Sequence, residues 1–426
     1  MSYRGPDKEL SGETRSGLLQ TTAVRCSLAA YLLIAISITA VGSQAFGQSP
    51  GPTPSKEGEA VGEKTVTAGQ ADGGPAATPT PREGEKEKRK GEKRGSIIVA
   101  PIPISSPAFG SGLIIIAGYV FKFDKDDAVS PPSWAGLAGV YTNNGTRGLA
   151  LGSKLYLKEN KYQTTFAAMT GRANLDFFGI GRLPGRPPVS VPLSLGGKIF
   201  FGEFMRNVGR NVFVGPRYQF RHVTASYDGE RPSGSFEIPA LDLKSNSAAL
   251  GLHVQRDKRD STFYPTKGSL IDFTADFFDQ VWGSRSEYQV YKVGYNGYRE
   301  VAPRQVFAYR GMACAANGRV PFYDLCLFGM NNDVRGYATG EFQNRRMFAA
   351  QAEYRLDWRR RLGFVAFGGV GGVARKWGDL RMDGLLPGAG AGLRFKLDKK
   401  NHINYRIDYA FGREGRTLSI GVGEAF

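Results

Sequence analysis

The side chains in this 426-residue sequence that could do chemistry are its charged residues, and their spacing suits ion pairing. Across residues 346–358, Phe348, Ala350, Ala352, Tyr354, Leu356 and Trp358 take one parity, and Gln351, Glu353, Arg355 and Asp357 take the other. Residues 401–411 repeat the pattern, with Ile403, Tyr405, Ile407, Tyr409 and Phe411 set against Asn404, Arg406, Asp408 and Ala410. A period of two puts each set on one face of a strand. A face carrying carboxylates and guanidiniums together makes cross-strand ladders. Burying Glu353, Arg355, Arg406 and Asp408 in the dry core of a soluble protein would carry a heavy desolvation cost, so this face is expected to look into a wet lumen.

Other chemistries find little support. G-x-S-x-G, H-E-x-x-H and a Ser/His/Asp constellation are all missing from the sequence, so no enzyme is expected. His222, His253 and His402 lie far apart without ligand spacing, so no metal and no cofactor is expected. The glycine runs at 368–372 and 388–392 precede no helical pattern and read as small residues on strands. Pro265-Thr266-Lys267-Gly268 is a β-turn, since the spacing of a phosphate loop is missing. Net charge is +17, but Lys and Arg alternate within strands and form no nucleic-acid motif, so nucleic acid is not an expected partner.

The elements that must hold these charges are strands. Alternation recurs in segments of roughly ten residues, the length a tilted strand needs to cross a bilayer. Direct reading gives fifteen from residue 112 to residue 426, with one more expected in 97–104 or 187–191, because both ends should lie on the same, periplasmic side. Low mean hydropathy (-0.30) with 57 Gly and 12% aromatic residues is what strands with one polar face produce. The closing segment, TLSIGVGEAF, places Leu418, Ile420, Val422 and Phe426 on an apolar face, with Phe426 as an interfacial aromatic. The fold expected is all-β: a transmembrane antiparallel β-barrel of about 16 strands over residues 96–426, surrounded by outer-membrane lipid.

Residues 27–41 form an apolar stretch preceded by Arg25 and followed by Ala45-Phe46-Gly47, which reads as a signal peptide over 1–47, with a single-pass anchor as the alternative. Residues 48–95 are rich in Pro, Gly and charge, lack core-forming residues, and read as a disordered linker. Of the three cysteines, Cys26 leaves with the signal peptide. Cys314 and Cys326 remain, and an exported protein is expected to bridge them.

The longest well-defined loop, residues 317–345, carries Val334-Arg335-Gly336-Tyr337 ahead of the last five strands. Residues 256–269 contain Asp257, Arg259 and the Pro265–Gly268 turn, and the chain closes through Gly390-Ala391-Gly392-Leu393-Arg394, Arg406-Ile407-Asp408-Tyr409 and Gly423-Glu424-Ala425-Phe426. With these motifs the chain resembles the BamA/TamA superfamily of outer-membrane barrels, also called the bacterial surface-antigen superfamily. The resemblance implies that this extracellular loop folds back into the lumen and that Arg335 pairs with acids on inner strand faces. Glu353 is the matching acid. The family's second acid would fall at Gly369, so on this reading part of the clamp is missing. Arg394, Arg406 and Asp408 would be lumenal residues of the closing strands. The resemblance further implies insertion or transport of outer-membrane proteins or lipids, with nascent outer-membrane proteins or lipids as partners. Residues 48–95 are too short and too polar for POTRA repeats. The competing reading is a passive, loop-plugged pore or structural surface antigen.

Overall fold

A computed structural model of the chain describes residues 95–426, apart from 107–109, 125, 128, 183, 186–190, 228–243, 262–263, 330–332, 339 and 399–401. The expected signal peptide, and the linker up to residue 94, lie outside the described residues.

Sixteen strands form one antiparallel sheet in which each pairs with its neighbour in chain order. They are β1 (Gly95–Ser106), β2 (Gly110–Phe121), β3 (Ser133–Thr142), β4 (Arg147–Leu157), β5 (Tyr162–Phe177), β6 (Val191–Gly209), β7 (Val212–Tyr227), β8 (Lys244–Asp257), β9 (Gly268–Phe278), β10 (Tyr288–Ala302), β11 (Gln305–Gly318), β14 (Arg346–Arg359), β15 (Leu362–Ala374), β16 (Leu386–Asp398), β17 (Ile403–Gly412) and β18 (Arg416–Val422). The short strands β12 (Cys326–Leu327) and β13 (Gln343–Asn344) pair only with each other, inside the connection between β11 and β14. The strand that direct reading of the sequence left out is β1, whose prolines Pro101 and Pro103 mask its alternation.

Side-chain alternation makes this sheet a transmembrane barrel. Leu137, Leu149, Tyr295, Phe307, Phe364, Leu393 and Phe411 are exposed on the outer face, forming the apolar band that lipid requires. Their neighbours of opposite parity, Gln351, Glu353, Arg355, Arg394, Arg406 and Asp408, are buried on the inside. No helix among the described residues is long and apolar enough to cross a membrane.

The two rims differ. At one rim β4–β5, β6–β7, β10–β11 and β14–β15 are joined by tight turns. These turns place Asn160, Asn211, Arg304 and Arg360 at φ of 59°, 59°, 66° and 31°. Positive φ lets a tight hairpin follow the right-handed strand twist. The opposite rim carries the longest connections, among them that between β11 and β14. The longest of these turns inward through residues 319–345, and Phe328, Val334, Tyr337 and Phe342 pack there with Phe278, Tyr288, Met347 and Leu386.

The final strand departs from the sequence expectation. β18 stops at Val422, and Gly423 takes φ 84°. The chain then turns into the lumen, where Phe426 is 4% exposed beside Tyr298 and Ala308. Alternation alone carries the strand through to Phe426. The left-handed residue at Gly423, together with an arginine that binds the Phe426 carbonyl, ends it early.

Candidate functional site

The site is built where the inturned loop meets the inner faces of β14 to β17. Gly336 makes the approach possible. Its φ is 117°, and a Cβ there would come within 2.7 Å of the Gly412 nitrogen and the Phe411 carbonyl carbon. The loop backbone therefore lies directly on β17, a contact only glycine allows. Next to it, the Tyr337 hydroxyl donates to the Pro387 carbonyl at 2.5 Å and accepts from the Arg413 amide at 3.0 Å. The Tyr337 ring packs edge-on against Phe328 and Phe342. Val334 is buried under the same loop.

Arg335 points the other way, into the charged wall. Its Nη2 donates to Glu353 Oε2 at 2.5 Å and its Nη1 to Asp408 Oδ2 at 2.8 Å. Its amide and Nε both donate to Gln351 Oε1, at 3.2 and 3.3 Å. The guanidinium carbon lies 3.4 Å from the centre of the Phe367 ring. One arginine is thus clamped by two carboxylates, an amide and an aromatic face, which uses its planar fork in full.

The second acid is Asp408 on β17, and Gly369 has a different part. A Cβ at Gly369 would sit 2.6 Å from the Ala350 carbonyl oxygen and 3.1 Å from Gln351 Cα. The backbone of β14 fills the space an acid would need, and Gln351, which is paired with Gly369 in register, turns its amide to Arg335 instead.

The two acids are shared with further arginines. Glu353 Oε1 accepts from Arg355 Nε at 2.6 Å, and Asp408 Oδ1 accepts from Arg394 Nη1 at 2.5 Å. Arg394 Nε donates to Glu424 Oε2 at 2.7 Å, and Asn404 holds the other Glu424 oxygen at 2.7 Å. Arg406 is buried nearby but reaches Asp408 only at 4.0 Å. This interior is dry, contrary to the wet lumen expected for these charges. The side chains of Arg335, Glu353 and Asp408 are 2%, 0% and 1% exposed, because the loop and the C-terminal segment cover them. Burial is tolerated because each carboxylate accepts from two guanidiniums, so neither is left with an unmatched charge.

Cys314 on β11 and Cys326 on β12 are bridged, with Cα atoms 5.8 Å apart, which ties the start of the loop to the wall. Outside the motif the loop has anchors that sequence reading missed. Arg182 pairs with Glu341 at 2.7 Å and with Glu414 at 2.5 Å, while Asp324 accepts from Tyr288 at 2.5 Å and pairs with Arg221. None of these belongs to a recognisable motif. The inward parity of Asp408 is the one signal that could have named the second acid. Among the described residues no group of His, Cys, Asp and Glu is arranged to hold a metal.

A transmembrane barrel with a long loop clamped inside its lumen defines a class of outer-membrane protein. The Omp85 superfamily domain matches residues 142–426, and the chain belongs to that superfamily, whose β-barrels are outer-membrane proteins. Among solved structures the chain is similar to BamA from Haemophilus ducreyi lacking POTRA domains 1–3, at 15% identity and a TM-score of 0.52, covering 77% of this chain and 69% of that one. It is also similar to CdiB from Acinetobacter baumannii, at 12% identity and a TM-score of 0.46, covering 75% of this chain and 62% of that one. No curated protein matches the chain in sequence.

Proposed function

We propose that this barrel inserts or transports outer-membrane polypeptides or lipids, and that the clamped loop is the part that must stay in place for it to do so. Membership of the Omp85 superfamily supports the class of activity. The observation that carries the reading is the Arg335 clamp. A loop held by Glu353, Asp408, Gln351 and Phe367 fixes the packing of β14 to β17 from within. A wall braced at one stretch can move elsewhere without collapsing, which a barrel handling another chain requires. Outer-membrane lipid surrounds it, and nascent outer-membrane proteins or lipids are the proposed clients. On this proposal residues 1–47 are a signal peptide that delivers it, residues 48–95 are a linker, and no enzymatic role is assigned.

The second reading, a passive plugged pore or structural surface antigen, is favoured by the same dry interior, since buried loop side chains block the lumen. Liposomes separate the two. An insertase raises the rate at which an unfolded barrel protein becomes protease-resistant in them. If the chain leaves that rate unchanged while its loop-released variants conduct ions, the passive reading stands and the insertase reading falls.

A further inference from the structure

Basic residues line up across the outward faces of five neighbouring strands, at the rim that carries the longest connections. Arg147 on β4 lies directly opposite Arg172 on β5. Lys198 on β6 is opposite Thr170, one diagonal step from Arg172, and on its other side opposite His222 on β7. Lys244 on β8 is opposite Thr224, one diagonal step from His222. Arg147, Arg172, Lys198 and Lys244 are all exposed. Arg147 shares the parity of Leu149, Lys198 that of Phe200 and Lys244 that of Leu250, and these apolar residues are 67%, 38% and 38% exposed. The row therefore stands on the lipid-facing wall. Arg147 and Lys198 are only two residues from Leu149 and Phe200, about 7 Å along a strand, which puts them at headgroup level.

This row is electrostatically incomplete. Like charges placed opposite or diagonal to one another across strands destabilise a sheet. Arg147, Arg172 and Lys198 pair with no acid among the described residues, and no described acid faces outward beside them on β4 to β8. On the inner wall, by contrast, Arg335, Arg355 and Arg394 each meet a carboxylate. The outer row needs an anion from outside the chain.

We propose that this row binds a phosphorylated glycolipid of the surrounding leaflet, with a phosphate at each end of its sugar core and acyl chains lying on the wall beside it. Arg147 and Arg172 offer two planar forks to one phosphate, the geometry in which guanidinium holds a phosphoryl group best. Lys198 and Lys244 offer point charges to the second. From β4 to β8 is four strand spacings, about 19 Å, wider than a single phosphate covers. Between the two lysines His222 Nδ1 and Asn246 Oδ1 lie 2.6 Å apart, a polar pair suited to sugar hydroxyls. A soluble anion would gain nothing from Leu149, Leu151 and Phe200, whereas a lipid covers them with its chains. The site lies on the outer wall, away from the clamped loop, so it stands or falls independently of the proposed function.

The test uses the full chain in detergent micelles, lipid A with both phosphates as the probe, and native mass spectrometry to count bound lipid. The unaltered chain should retain the probe, and lipid A lacking one phosphate should bind at least about fivefold more weakly. The paired substitutions Arg147→Gln with Arg172→Gln, and Lys198→Gln with Lys244→Gln, should each weaken binding at least about tenfold. Arg359→Gln with Arg361→Gln, at the opposite rim, should leave it unchanged. The proposal falls if folded, heat-modifiable variants of the row bind the probe as well as the parent does. Two comparisons on the unaltered chain need no substitution. Phosphatidylglycerol bound as tightly as lipid A would reduce the row to a general anionic-lipid surface and overturn the proposal. Displacement of lipid A by an equal concentration of inorganic phosphate would overturn it too, as a site for free anion.

Discussion

The two halves of the inner wall handle charge differently. On β14 to β17, Glu353 and Asp408 each accept from two arginines, and one of those, Arg335, comes from the loop. On β6 to β9, the charges form separate groups. Arg217 lies 3.1 Å from Asp276 without an aligned hydrogen bond, and His253 sits between Glu203 and Asp272 at 2.7 Å each. Asp272 remains 39% exposed at its side chain, against at most 4% for the acids and arginines of the clamp. Both walls come from strands of the same alternating kind. What differs is the covering segment. The loop dries one wall and also supplies the cation that balances it, so charge pairing and loop position become one equilibrium. The other wall keeps separate pairs, of which Arg217–Asp276 is buried and His253–Asp272 is open enough on its acid for salt to screen.

The largest effect expected is from Arg335→Ala. It removes both salt links, the Gln351 contacts and the Phe367 stack from a dry site, at about 4 kcal/mol in loop docking. The barrel should stay folded, because Arg355 and Arg394 still neutralise Glu353 and Asp408. Chymotrypsin cleavage after Phe328, Tyr337 and Phe342 of liposome-embedded protein measures it. Opening the Cys314–Cys326 bridge by the paired Cys→Ser substitutions should come next, at about 3 kcal/mol from the loop-closure entropy of twelve residues. Thermal unfolding in detergent with and without reductant checks that value. Gly336→Ala should cost about 2 kcal/mol, from a strained φ and contact with the Phe411–Gly412 backbone. It should raise cleavage with Arg335 still in place.

Glu353→Gln and Asp408→Asn should each give roughly half the Arg335→Ala effect, about 2 kcal/mol, because either acid alone still holds the arginine. This replaces the expectation that Glu353 is the sole acid, under which Glu353→Gln alone would free the loop. The smallest effect belongs to the opposite wall. Asp272→Asn should change barrel stability by no more than about 1 kcal/mol, and the difference should shrink in high salt, whereas the Arg335 effect should not. Equal salt sensitivity of the two walls would erase the contrast between them.

Much of this was legible in the sequence. The inward parity of Glu353, Arg355, Arg406 and Asp408 follows from period-two alternation, the cysteine pair from residue type in an exported chain, and the Val334–Tyr337 motif from the resemblance to the BamA/TamA superfamily. The resemblance pointed to Glu353 as one partner of Arg335, but the sequence could not show the second acid. Asp408 lies 73 residues from Arg335, and the choice depends on the loop crossing to β17. Dryness was hidden for the same reason, since alternation shows which way a side chain points and says nothing of what covers it. The inward turn of Phe426 was missed because Gly423 reads as one more small residue in a strand. Only its φ of 84°, with Arg355 waiting beneath, reveals the break.

The most direct measurement is a double-mutant cycle joining Arg335→Ala and Asp408→Asn, read as single-channel conductance in planar bilayers. The intact chain should conduct little, Arg335→Ala should open the lumen, and Asp408→Asn should do so partially. The double variant should match Arg335→Ala alone, leaving a coupling of at least about 1 kcal/mol. Strictly additive effects, or an Arg335→Ala chain that is folded yet no more conductive than the parent, would show that the arginine does not hold the loop.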